Sequence, residues 1–233
     1  MSKKKRLFLD AGHGAHDPGA INTSTGLKEK DVALDVCLLM REMLSPDVEV
    51  ILSRNSDLFL PLSKRSMKAN LSKADAFLSV HCNSAIAPTA HGFEVFTTRG
   101  NSRADDLASK LYKRFEQLGR TGRKDMADGD PDKEASFHVL TKTKMPAALF
   151  ELEFIHNQQG HDFLSNQDSQ VKMARALSDG ILDYFEITHT AFPPDRNTDV
   201  GFSAGSPPEG AKEIIERIES DLQSLKKRLS TKT

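Results

Sequence analysis

Short apolar runs alternate with longer amphipathic stretches along most of the chain. Leu7-Phe8-Leu9 leads through Asp10-Ala11 into Gly12-His13-Gly14, the mark of a buried strand that breaks into a tight turn. Residues 75–83 repeat the arrangement, an apolar strand running into His81-Cys82-Asn83. Further strands are predicted over 48–52, 92–96, 136–140 and 147–154, the last with Glu151 and Glu153 near its end. Helical spacing of apolar positions predicts helices over 27–44, 62–71, 102–118 and 171–185. Within 27–44 the apolar faces come from Val32, Leu34, Val36, Leu39, Met40 and Met43; within 102–118 they come from Leu107, Leu111, Phe115 and Leu118. Strands and helices in alternation imply an α/β domain with a mainly parallel twisted sheet and helices on both faces.

Loop chemistry separates these elements. Residues 15–26 are rich in Gly, Asp, Pro, Asn and Thr. Residues 119–134 combine Arg120, Arg123 and Lys124 with three glycines and acidic residues from Asp128 to Asp132, the composition of an exposed loop. From 188 to 210 the chain turns to Pro, Ser, Gly, Asn and Asp and reads as a linker. Beyond it Ile218, Leu222, Leu225 and Leu229 are spaced four, three and four apart, an amphipathic helix. The expected division is therefore 1–187 as a catalytic-size domain, 188–210 as linker and 211–233 as helical tail. The tail either packs on its own domain or makes a homo-oligomer through a short coiled coil.

With 233 residues and 38% hydrophobic content, the chain can bury one sizeable core and needs no metal or disulfide to fold. Its net charge of -1 provides no global attraction to nucleic acid or an anionic membrane. The two cysteines, Cys37 and Cys82, lack paired spacing and read as free thiols. The basic residues at the amino terminus precede an apolar run that Asp10 interrupts after three residues, so no secretory signal is read there. No stretch is long enough for a transmembrane segment. These features predict synthesis in the cytoplasm, with any substrate outside the membrane reached after release or by non-Sec export.

Two predicted strands each ending in a histidine place imidazoles at the carboxyl edge of a parallel sheet, where open α/β domains keep their chemistry. A lone histidine is usually a surface or satisfied polar residue, and an acid such as Glu29 in a helix's first turn is ordinary complementation of the dipole. Taken together, His13, Glu29 and His81 match the two-histidine, one-glutamate donor set of a hydrolytic zinc site. His16, His138 and His156 are weaker candidates for contact with a substrate, and His91, His161 and His189 read as surface or turn residues.

At these residues the sequence resembles the zinc-dependent N-acetylmuramoyl-L-alanine amidases of the amidase 3 type, found in bacterial cell-wall hydrolases and phage endolysins. Four blocks match in order: Asp10-Ala-Gly-His13-Gly with Asp17-Pro-Gly-Ala20; Gly26-Leu-Lys-Glu29-Lys-Asp31; 62–70 with Arg65 and Asn70, followed by Phe77-Leu-Ser-Val-His81-Cys-Asn83; and Met145-Pro-Ala-Ala-Leu-Phe-Glu151-Leu-Glu-Phe154-Ile-His-Asn157. The resemblance spans roughly 7–185. It implies one Zn2+ ion held by His13, Glu29 and His81, Glu151 as the catalytic carboxylate, and peptidoglycan as substrate. The bond cut would be the amide between N-acetylmuramic acid and L-alanine of the stem peptide. The chain departs from the pattern at Ala11, usually proline, at Ala15, usually glycine, and at Glu153, also usually glycine. Glu153 shares a strand face with Glu151 if the strand continues regularly, and turns away if it breaks. Arg120, Arg123 and Lys124 are either a solvated charge run or contacts for stem-peptide carboxylates.

Two other functions fit the same residues. A zinc carboxypeptidase or aminopeptidase needs the same donors plus a pocket for a free peptide terminus. A non-catalytic wall-binding protein would keep the fold without turnover.

Overall fold

The computed structural model describes residues 3–188 except 88, 101 and 128. The tail predicted over 211–233, with Ile218, Leu222, Leu225 and Leu229, lies outside the described residues, as does the linker beyond 188 and His189. The elements in order are β1 (Arg6–Ala11), α1 (Glu29–Leu44), β2 (Glu49–Leu52), α2 (Leu62–Ser72), β3 (Ala76–Asn83), β4 (Glu94–Thr97), α3 (Arg103–Glu116), β5 (Lys133–Glu134), α4 (His138–Thr141), β6 (Ala147–Phe154), α5 (Gln158–Ser165) and α6 (Gln167–Phe185).

They form one six-stranded sheet in the order β2-β1-β3-β6-β4-β5. β2, β1, β3 and β6 run parallel. β4 is antiparallel to β6, and β5 is parallel to β4, so the sheet is mixed at one edge. Strand alternation divides the core in two. Leu7, Leu9, Leu78, Val80, Ala148 and Phe150 enter one apolar cluster with α1, α3 and α6, while Phe8, Phe77 and Leu149 enter a second one with α2 and α4. Burial on both faces is why these strands read as nearly unbroken apolar runs. No helix among the described residues is long and apolar enough to cross a membrane.

Three local readings change. Residues 136–140 are not a strand: Phe137 is the extended N-cap of the single turn α4, and Val139 and Leu140 are its buried residues. An apolar pair that short carries no periodicity to separate strand from helix. The loop 119–134 contains β5 and a bridge from Gly122 to Phe93, which extend the sheet past β4. α5 was not anticipated; Asn157 caps it by accepting from the Gly160 N–H at 3.1 Å.

Candidate active site

The site begins with the strained turn that leaves β1. His13 and Ala15 have φ of 59° and 49°, in the left-handed region that L-residues avoid. Two arginines hold this backbone. Arg54 donates to the Ala11 carbonyl at 3.0 Å and to the Gly12 and Lys30 carbonyls at 2.7 Å each. Arg65 donates to the Ala11 and His13 carbonyls at 2.6 Å each, and to Asp10 Oδ1 at 2.7 Å. Asp10, fully buried, takes a further bond from Ser79 Oγ at 2.8 Å. Buried carbonyls and a buried carboxylate thereby acquire donors, and the histidine turn is fixed from beneath.

Three distant residues meet at this edge. β1 delivers His13, the first turn of α1 delivers Glu29, and β3 delivers His81; their ligand atoms all lie within 4.8 Å of one another. Glu29 Oε1 is 3.0 Å from His13 Nε2, 2.8 Å from His81 Nδ1, and accepts the Cys82 N–H at 3.1 Å. Its Oε2 accepts the Ala20 N–H at 2.8 Å. His13 Nδ1 lies 2.9 Å from Asp17 Oδ2, and a proton placed there leaves Nε2 as the free donor atom facing the cluster.

Glycines make the space. A Cβ at Gly12 would stand 2.4 Å from Cε1 and 2.6 Å from Nδ1 of His81. One at Gly19, where φ is +65°, would stand 2.5 Å from Glu29 Oε2 and 2.6 Å from His13 Cδ2. The imidazoles and carboxylate therefore pack directly on backbone.

Mutual interaction governs their charge. Burial raises the Glu29 carboxyl pKa, but bonding to both imidazoles outweighs it and holds the group well below the usual carboxylate range. Burial lowers the His81 imidazole, and the bond and charge of Glu29 overcome it and lift the group to about 9. His13 rises for the same reasons. A buried carboxylate with two ring nitrogens on one oxygen is a donor set suited to a divalent cation of zinc type.

Glu151 stands beside His81 in the β3–β6 register and opposite Glu94 in the β6–β4 register. Its Oε2 is buried without a hydrogen-bond partner. Burial raises its pKa; His81 and His13 pull it down, Glu29 and Glu94 push it up, and the balance falls at about 7. Beyond Glu151 the register slips, so that Asn83 pairs with Phe154. This irregularity answers the question posed by Glu153. Its carboxylate accepts from the Gly92 and Phe154 N–H groups and pairs with Arg120 Nη2 at 2.5 Å, fully buried.

Arg120 and Arg123 of the basic cluster are thus committed to glutamates, while Lys124 is exposed. Arg123 pairs with Glu94, which also binds Lys133 at 2.9 Å and accepts from Asn83 Nδ2 at 3.0 Å. Of the remaining histidines, His156 Nδ1 lies 3.3 Å from Ser84 Oγ just past the ends of β6 and β3. His16 packs against Phe59 with ring centroids 4.2 Å apart and the planes tilted by 43°. His138 faces Ser66 of α2 at 3.4 Å, within the layer that α2 and α4 form. His91 and His161 make local contacts with Thr89 and Asp162. Arg54 was not singled out by sequence; only its place shortly after β2 could have suggested it.

Fold and donor set together give an α/β domain with a His–Glu–His cluster, able to hold a metal ion, at the carboxyl ends of its parallel strands. The family described as N-acetylmuramoyl-L-alanine amidase, Amidase_3, matches residues 7–183. The chain belongs to that family. It is 35% identical over 189 residues to the protein YqiI of Bacillus subtilis, with 78% of this chain and 85% of that protein covered. It is 34% identical over 192 residues to an endolysin of Bacillus phage SPP1, covering 78% of this chain and 67% of the relative. The catalytic domain of the amidase CwlV from Bacillus (Paenibacillus) polymyxa superposes with a TM-score of 0.72 at 33% identity, over 79% of this chain and 99% of that domain.

Proposed function

We propose that the chain hydrolyses the amide between N-acetylmuramic acid and L-alanine in peptidoglycan, with one zinc ion held by His13, Glu29 and His81 and with Glu151 as the acid and base. The observation that carries this reading is a buried, unpartnered carboxylate oxygen on Glu151 beside a His–Glu–His cluster. When bound, zinc supplies Lewis acidity to the scissile carbonyl and to the attacking water.

The chain's own residues do the rest. Asp17 orients His13, and the Cys82 and Ala20 N–H groups hold the Glu29 carboxylate in place. Glu151, with a pKa of about 7, accepts the proton of the attacking water as the carbon–oxygen bond forms. It then returns that proton to the alanine nitrogen as the amide bond breaks. A carboxyl poised near neutrality serves both halves of the cycle. For access to the wall we read release from the cell or export without a general secretory signal; likeness to an endolysin supports it.

The test is product analysis on purified peptidoglycan with zinc present. Amidase action exposes new alanine amino groups without new reducing sugar ends. Release of a terminal amino acid would favour a peptidase, and sedimentation with walls that never dissolve would favour a binding protein. Glu151→Gln should retain its zinc and lose about 10²–10⁴-fold in kcat. Unchanged turnover in that variant would remove Glu151 from the reaction.

A further inference from the structure

The loop that leads into β5 carries aspartates at positions 125, 128, 130 and 132, the last three at every second residue. Alternate aspartates are how hard cations such as calcium are ligated by a single loop. Asp132 is 3% exposed. Its Oδ2 accepts from Thr97 Oγ1 at 2.6 Å, and the same hydroxyl lies 3.2 Å from Asp105 Oδ1 in the first turn of α3. Its other oxygen, Oδ1, is buried without a hydrogen-bond partner, and so is Oδ1 of Asp130 beside it.

The Asp130 and Asp132 side chains lie within hydrogen-bond reach of each other, so these two shielded carboxyls must either share a proton or hold something positive between them. The side chains around Asp132 do not supply it. A cavity of about 440 Å³ beside Asp132 is lined by Asp125, Arg99 and Lys133, among others. Lys133 is bound to Glu94, and no ion pair among the described residues joins Arg99 to either aspartate. We propose that Asp130 and Asp132, with the Thr97 hydroxyl, form a site for a calcium-type divalent cation that water in the adjoining cavity completes. The bound ion fastens the loop 119–134 to β4 and to the amino end of α3. Burial and the hydrogen bond with Asp130 push Asp132 up to about 7, a shift that a cation between the two carboxylates would oppose. All the donors are oxygens, which sets this site apart in metal preference from the nitrogen-rich His–Glu–His cluster.

The experiment uses the full chain loaded with zinc at neutral pH, with calcium alone as the probe. Calorimetric titration should show one calcium site, and saturation should raise the melting temperature by about 5 °C. Asp132→Asn and Asp130→Asn should each abolish both responses while wall hydrolysis continues. The second variant covers the chance that the first, at the more buried position, fails to fold. No binding heat and no melting shift in the wild type at millimolar calcium would overturn the proposal, and the two aspartates would then share a proton. Equal calcium responses in both variants and the wild type would also overturn it, by locating the ion elsewhere.

Discussion

His13 can face Glu29 because its backbone accepts a left-handed conformation, and Ala15 two residues on does the same at φ 49°. The family resemblance has glycine at position 15, and the geometry shows why: alanine there bears a cost that glycine avoids. Ala15→Gly is expected to stabilise the protein by about 0.5–1 kcal/mol, the steric relief being partly offset by a freer unfolded chain. Paired denaturant melts check this, and a destabilised variant would show that the Ala15 methyl contributes packing instead. At this scale the sequence was informative about histidines that end apolar runs, since His13 and His81 do converge on Glu29. It was uninformative about Arg54, whose bonds to Ala11, Gly12 and Lys30 span 24 to 43 residues and follow no local pattern.

Between elements, the slip in the β3–β6 register decides which glutamate faces which partner. A regular strand would place Glu151 and Glu153 on one face; the irregularity leaves Glu153 with Arg120 and Gly92, and no residue pattern along β6 announces it. Glu94 then ties β4 to Asn83 of β3, to Arg123 in the loop and to Lys133 of β5. Burial raises its pKa, but its bonds to Lys133, Arg123 and Asn83 bring it below the ordinary value. A depressed carboxyl contributes stability that is present above its unfolded pKa and is lost as pH falls through the folded one. Glu94→Gln should therefore cost about 2 kcal/mol at pH 7, with both cationic partners partly solvated, and less as the pH approaches 3. Urea melts at the two pH values measure the difference; a cost independent of pH would assign Glu94 a packing role only. The antiparallel edge that Glu94 serves was not legible, because strand direction leaves no trace in an alternation four residues long.

For the molecule as a whole, the four parallel strands were legible because both faces are buried, and the apolar runs of β1 and β3 stop where the His–Glu–His cluster begins. The resulting core includes fully buried Phe8, Phe77, Phe93, Phe115 and Phe150 and does not depend on the metal cluster for its cohesion. Glu29 and the two imidazoles also satisfy one another directly. Removing zinc should therefore lower stability without unfolding the chain, unlike a small domain organised by its metal. At free zinc near 1,000 times its dissociation constant the linkage contributes about 4 kcal/mol, and a domain of this size gains about 2–4 °C per kcal/mol. A chelator should lower the melting temperature by roughly 10 °C while leaving the far-ultraviolet circular dichroism unchanged at 25 °C. Added zinc should restore it, and His81→Ala should melt at one temperature with or without zinc. Protons compete for the same nitrogens, and with the metal-free His81 imidazole at about 9 the zinc-dependent increment should shrink as pH falls below that value. An increment that persists in His81→Ala would place the stabilising ion away from the three residues that β1, α1 and β3 bring together.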